Sequence, residues 1–165
     1  MDTVTYPTPA VEDLLRERFV CYSINEGQPT REDAELMRRC RLLWSPGMVF
    51  FEPRGAELRR FVGYRPADEF VAELHLVLGL NDMLYRRFEA AAQAFAAAAL
   101  DFGEHEGAAE ALYWRAIALY RAEGRNYDVL RRHWNEIRER FPDSTWWPRA
   151  DVWDARPTGR RGADA

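Results

Sequence analysis

Thiol chemistry in this sequence could come only from Cys21 and Cys40. Metal or acid–base chemistry could come from His75, His105 and His133 together with the cluster Asp101, Glu104, His105 and Glu106. The cysteines do not form a Cys-x-x-Cys pair, the arrangement that lowers a thiol's pKa for disulfide exchange. Free cysteine is among the most buried residue types, so the plain reading is two small buried hydrophobes, with a redox pair as the other. The histidines never fall at metal-ligand spacing, and the acidic cluster reads better as a solvated interhelical loop than as a metal site. No cofactor or metal is expected. Every basic residue is arginine, which excludes a Schiff-base or phosphate-loop lysine. Gly-x-Ser-x-Gly, a glycine-rich phosphate loop and His-Glu-x-x-His are absent, so hydrolase and nucleotide-binding plans lack a motif.

The 165 residues are 47% apolar, enough to bury a core in one domain, or in one small domain with a helical extension. The net charge of −4 is spread over interspersed acids and bases, and apart from Arg156, Arg160 and Arg161 it leaves no footprint for nucleic acid. No long apolar run suits a membrane span, and the N-terminus carries no basic-then-apolar segment. A cytoplasmic location is expected, where structural disulfides are rare.

Val11, Leu14 and Leu15 follow Pro9 at helical spacing, and Phe19 to Ile24 switch to a strand-like apolar run that ends at Asn25-Glu26-Gly27. Thr30 with Asp33 can cap a second helix whose apolar side is Ala34, Leu36, Met37 and Cys40. Met48 to Phe51 and Glu57 to Gly63 read as two antiparallel strands around a Pro53-Arg54-Gly55 turn. The first is all apolar and suggests burial on both faces; the second is mixed and suits an edge. Pro66 opens a helix carrying Phe70, Val71, Leu74, Val77 and Leu78, and Gly79 is read as its end. Beyond it the pattern is purely helical, over about 82–101, 107–123 and 126–140.

Helix, buried strand, helix, X-Pro, buried strand, Pro-x-Gly turn, edge strand and amphipathic helix resemble the C-terminal half of a thioredoxin-like domain across residues 11–78. The most specific piece runs from Ser45-Pro46 to Gly63-Tyr64, which is similar to that family's cis-proline loop, hairpin and the glycine before its last helix. The resemblance implies a cis Ser45–Pro46 bond and a cis-proline loop of Ser45, Pro46 and Gly47. In that family the loop packs against a Cys-x-x-Cys pair at a helix N-terminus. The family pattern would place that pair just upstream of Met1. The sequence therefore lacks both the reactive thiols and a strand that normally sits between those around Val20 and Val49.

In the second part Phe88, Ala91, Phe95 and Ala98 recur as Tyr127, Leu130, Trp134 and Ile137. With Pro142 after the last helix, residues 82–142 loosely resemble tetratricopeptide helix pairs, at a spacing longer than the roughly 34 residues of that family. Two pairs are too few for a free-standing array, so they are expected to lean on the first domain or on a partner. Trp146, Trp147 and Trp153 either cap the open end of these helices or line a peptide groove.

The fold expected is α/β, a partial thioredoxin-like three-layer core over residues 1–79. An all-α helical-repeat extension over 80–153 and a disordered tail over 154–165 follow it. The function expected is a redox-inactive protein-interaction module. Pro46 sets its loop geometry, Trp114, Trp134, Trp146 and Trp147 contact a protein or peptide partner, and a second copy of the chain is one such partner. Neither nucleic acid nor membrane is expected. The alternative is a thiol–disulfide oxidoreductase whose Cys-x-x-Cys lies upstream of a start assigned too late.

Overall fold

A computed structural model describes residue 1 and residues 3–151. The expected disordered tail, with Trp153, lies outside the described residues. Those residues form α1 (Pro9–Arg18), α2 (Arg31–Cys40), β1 (Gly47–Phe51), β2 (Glu57–Val62), α3 (Ala67–Leu84), α4 (Phe88–Phe102), α5 (Glu106–Ala122), α6 (Tyr127–Arg140) and α7 (Trp147–Ala150). The chain is thus mostly helical with a small antiparallel sheet, consistent with a partial thioredoxin-like fold plus helices. Among the described residues no helix is long and apolar enough to cross a membrane.

Local chemistry sets the first elements. Pro9 stands in the first turn of α1, where a missing N–H costs nothing, and Arg16 and Arg18 suit the negative end of the helix dipole. At α2, Thr30 Oγ1 accepts from the Asp33 amide (3.1 Å) and Asp33 Oδ2 accepts from the Thr30 amide (2.9 Å), a reciprocal capping box.

The expected strand at Phe19–Ile24 does not form. This segment is irregular, Val20 is fully exposed (103%), and Tyr22 is exposed as well. A strand needs a neighbour for its amides and carbonyls, and β1 with β2 make the only sheet among the described residues. Phe19 turns inward, its ring 6.1 Å from that of Phe50.

β1 and β2 pair antiparallel, Met48 opposite Phe61 and Phe50 opposite Arg59, with an irregularity at Phe50/Phe51 before the turn. Gly55 takes a φ of 94° there, a conformation that favours glycine. Met48, Phe50 and Phe61 share one face, which packs with Val11 of α1 and with Phe70 and Leu74 of α3. Burial of β1 on both faces is not observed: Phe51 and Val62 on the opposite face are exposed. The one hydrogen bond from this hairpin to α2 among the described residues is Arg60 Nη1 to the Cys40 carbonyl (2.8 Å).

α3 also departs from expectation, because Gly79 does not end it. A Cβ on Gly79 would lie 2.5 Å from Phe95 Cε1. The glycine therefore marks close approach of α3 to α4, not a helix stop. α3 feeds two clusters: Phe70 and Leu74 face the sheet, while Ala72 and Leu76 join the core built by α4, α5 and α6. From α3 to α6 each helix packs on the next. Ala91, Phe95 and Ala98 of α4 and Leu130, Trp134 and Ile137 of α6 all belong to that core.

Candidate functional site

The loop after α2 begins with Arg41 in the left-handed region, its amide bonded back to the Arg38 carbonyl (3.1 Å), while the Leu42 amide donates to the Met37 carbonyl (3.0 Å). The chain then runs outward through Leu43 (88% exposed) and Trp44 (71% exposed). The Ser45–Pro46 peptide bond is cis. A Cβ on Gly47 would stand 2.8 Å from the Trp44 carbonyl oxygen and 3.0 Å from Leu42 Cδ2, so glycine is what lets the loop fold onto the start of β1.

The Gly63 amide donates to the Pro46 carbonyl (2.8 Å). In the observed register this puts the ladder bonds on Met48 and Phe50 and turns the amides and carbonyls of Gly47 and Val49 away from β2. Among the described residues no hydrogen bond reaches those outward groups. The result is an open strand edge beside an exposed apolar loop, an arrangement able to add an extended peptide through main-chain bonds.

Neither cysteine joins this loop's chemistry. Both are free; Cys40 is buried, whereas Cys21 is exposed, because the segment expected to bury it is unpaired. The acidic–histidine cluster is dispersed: Asp101 Oδ2 meets His75 Nδ1 (2.7 Å), Glu106 Oε1 accepts from the Thr145 amide (2.9 Å) and hydroxyl (2.7 Å), and Glu104 lies 3.8 Å from Arg140. Among the described residues no group of three or more His, Cys, Asp and Glu is placed to hold a metal ion.

Trp114, Trp134 and Trp146 each meet the ring of Tyr113. Trp134 is in the core (6% exposed), its ring stacked on Tyr113 at 5.1 Å, and Trp114 stacks on Phe95 at 6.5 Å. Trp146 meets Tyr113 at 5.2 Å, and Arg138 lies over the Trp147 ring at 5.7 Å. Trp114, Trp146 and Trp147 are half-buried against the core.

Two polar clusters were not read from the sequence. Arg59, on the inward face of β2, bonds both oxygens of Glu110 on α5 (2.9 and 3.0 Å) and pairs with Glu73 on α3. Burial draws its pKa down, but the hydrogen bonds to Glu73 and Glu110 outweigh this and hold it above the usual guanidinium range. A charged residue alternating with Phe61 on an inward strand face was the available signal. At the hairpin turn, Glu52 accepts from the Tyr85 hydroxyl (2.5 Å) and the Ala56 amide (3.0 Å). These bonds pull the Glu52 carboxyl below its ordinary value against the effect of burial, and the same contact raises Tyr85.

Residues 2–78 match the family model of the thioredoxin-like domain. A search of the curated proteins and a search of the solved structures each gave no match.

Proposed function

We infer that this thioredoxin-like segment works as a non-catalytic protein-interaction module, extended by tetratricopeptide-like helices. The observation that carries the reading is the outward-facing edge at Gly47 and Val49 beside the exposed Leu43–Ser45 stretch that leads into half-buried Pro46 and Gly47, with both thiols unpaired and one of them buried. A main-chain edge of this kind binds an extended segment without any reactive group. The succession of α3, α4, α5 and α6, each packed on the next, supports the tetratricopeptide-like reading. Partner contact is assigned to Ser45, Pro46 and Gly47 and to the half-buried Trp114, Trp146 and Trp147, with Trp134 in the core behind Tyr113 ordering the first two. The partner is a protein or peptide, a second copy of the chain included, and the setting is cytoplasmic, where a free Cys21 stays reduced. Insulin reduction by this chain is expected to show no turnover; catalysis would overturn the reading.

A second reading is supported by the unpaired Phe19–Ile24 segment: a thiol–disulfide oxidoreductase completed by an upstream strand and Cys-x-x-Cys. Translating the upstream frame tests it. An in-frame Cys-x-x-Cys within about 40 residues, one strand plus one helix, supports this reading, and a stop codon adjacent to Met1 sinks it.

A further inference from the structure

The last turn of α2 and the loop behind it enclose an open depression of about 450 Å³, its apolar wall made by Ala34, Met37, Leu42 and Leu43 and its rim by Arg38 and Arg41. That volume is in the range of small-molecule pockets, but those bury most of their ligand. This depression is a shallow trough open to solvent, better suited to an elongated ligand lying across it. It continues into the loop described above, because Leu42 packs where a Gly47 side chain would be, and exposed Leu43 and Trp44 lengthen its apolar surface.

The rim carries two arginines, Arg38 and Arg41, that make no ion pair among the described residues, although Arg41 is near enough to Glu57 to help lower its carboxyl pKa. Glu57 is hydrogen-bonded by Arg60, which leaves both rim guanidinium groups without a bonded carboxylate among the described residues. In a chain of net charge −4 this is a local reversal of sign, next to apolar side chains that water covers poorly.

We propose that this trough is a docking site for an acidic amphipathic segment of a partner protein, with apolar side chains on Met37, Leu42 and Leu43 and carboxylates on Arg38 and Arg41. The assignment rests on the interaction-module reading and names the chemistry of its partner. An arginine rim around an apolar floor matches a segment that carries Leu or Phe with Glu or Asp beside them. An anionic membrane is the poorer fit: each basic residue contributes only about 1 kcal/mol at a lipid surface, and two rim arginines fall short of the clusters of basic residues that such binding takes.

The test is a titration of the full isotope-labelled chain, followed by NMR, with a synthetic Leu/Glu peptide of about four helical turns. Its Leu/Lys counterpart and phosphatidylserine vesicles are the comparison arms. The Leu/Glu peptide is expected to bind saturably, with amide shifts confined to Ala34–Trp44. R38E together with R41E, both exposed positions, is expected to weaken binding about tenfold or more, with added salt acting in the same direction. Leu43→Ser tests the apolar half and is expected to weaken binding at unchanged salt dependence. The proposal is overturned by absence of saturable binding, by shifts mapping elsewhere, by indifference to R38E/R41E, or by preference for the Leu/Lys peptide or the vesicles. A failed titration in a chain that does not reduce insulin removes this site alone. Insulin turnover removes the module reading whatever the peptide does.

Discussion

Arg59 and Glu110, 51 positions apart in the chain, meet through two parallel hydrogen bonds of 2.9 and 3.0 Å. The same guanidinium pairs with Glu73, so one side chain of β2 ties the sheet to both α3 and α5. A planar fork with two carboxylates is geometry that lysine cannot reproduce. Arg59→Leu would leave two mostly buried carboxylates facing each other, and a loss of about 3–5 kcal/mol is expected in urea unfolding. Replacing Arg59, Glu73 and Glu110 together by apolar residues should recover much of that loss, since the burial cost of all three charges disappears with their attraction. A single Arg59→Leu variant as stable as the parent would contradict this account.

Gly79→Ala should destabilise the chain although alanine is the better helix former. The added methyl would be driven to 2.5 Å from the fully buried Phe95 ring, and overpacking of this kind costs about 1–3 kcal/mol, against about 1 kcal/mol gained in helix propensity. A chemical-denaturation midpoint below that of the parent is the expected result; a midpoint above it would show that α3 and α4 can separate cheaply.

The contact between Glu52 and Tyr85 predicts a signed pH dependence. Glu52 has a folded pKa below its unfolded value, so its contribution is present above about pH 4.5 and is lost as the pH falls through the lower folded value. Tyr85 has a raised pKa, so its share is present below about pH 10 and fades as the pH climbs through the folded value. Tyr85→Phe should lower the thermal midpoint at neutral pH and flatten both limbs of the profile. An unchanged acid limb would place the stabilising partner of Glu52 elsewhere.

Trp134→Ala should cost about 3–5 kcal/mol, the usual range for emptying a large aromatic site in a core. Trp147→Ala should cost less, because that ring is half-buried and one face meets Arg138. Equal losses in calorimetry would mean that the two rings share one role.

Much of the helical framework was legible. Pro9, the Thr30–Asp33 pair and the recurring Ala91, Phe95 and Leu130, Trp134 pattern act over one or two helical turns, within reach of local reasoning. The hairpin was readable too, since Pro53-Arg54-Gly55 lies between two β-prone runs. Phe19–Ile24 misled because β propensity describes a fit to a pleated neighbour, and among the described residues no strand pairs with it. Gly79 misled because a missing side chain permits a bend and a close approach equally well, and only Phe95 tells which applies. The site divided the same way. The Ser45–Gly47 loop was visible as a local motif, while the burial of Trp134 and the meeting of Arg59 with Glu110 depend on contacts that only the folded chain creates.

α3 supplies Phe70 and Leu74 to one core and Ala72 and Leu76 to the other. A helix with two such obligations cannot be inherited by halves. Recombination that joined the thioredoxin-like segment to a foreign helical array, or this array to a foreign sheet, would have to carry α3 across whole and match its second face to a new neighbour. The pair of units is therefore expected to travel through evolution as one block, with sequence drift on either side of α3 constrained by residues on the other.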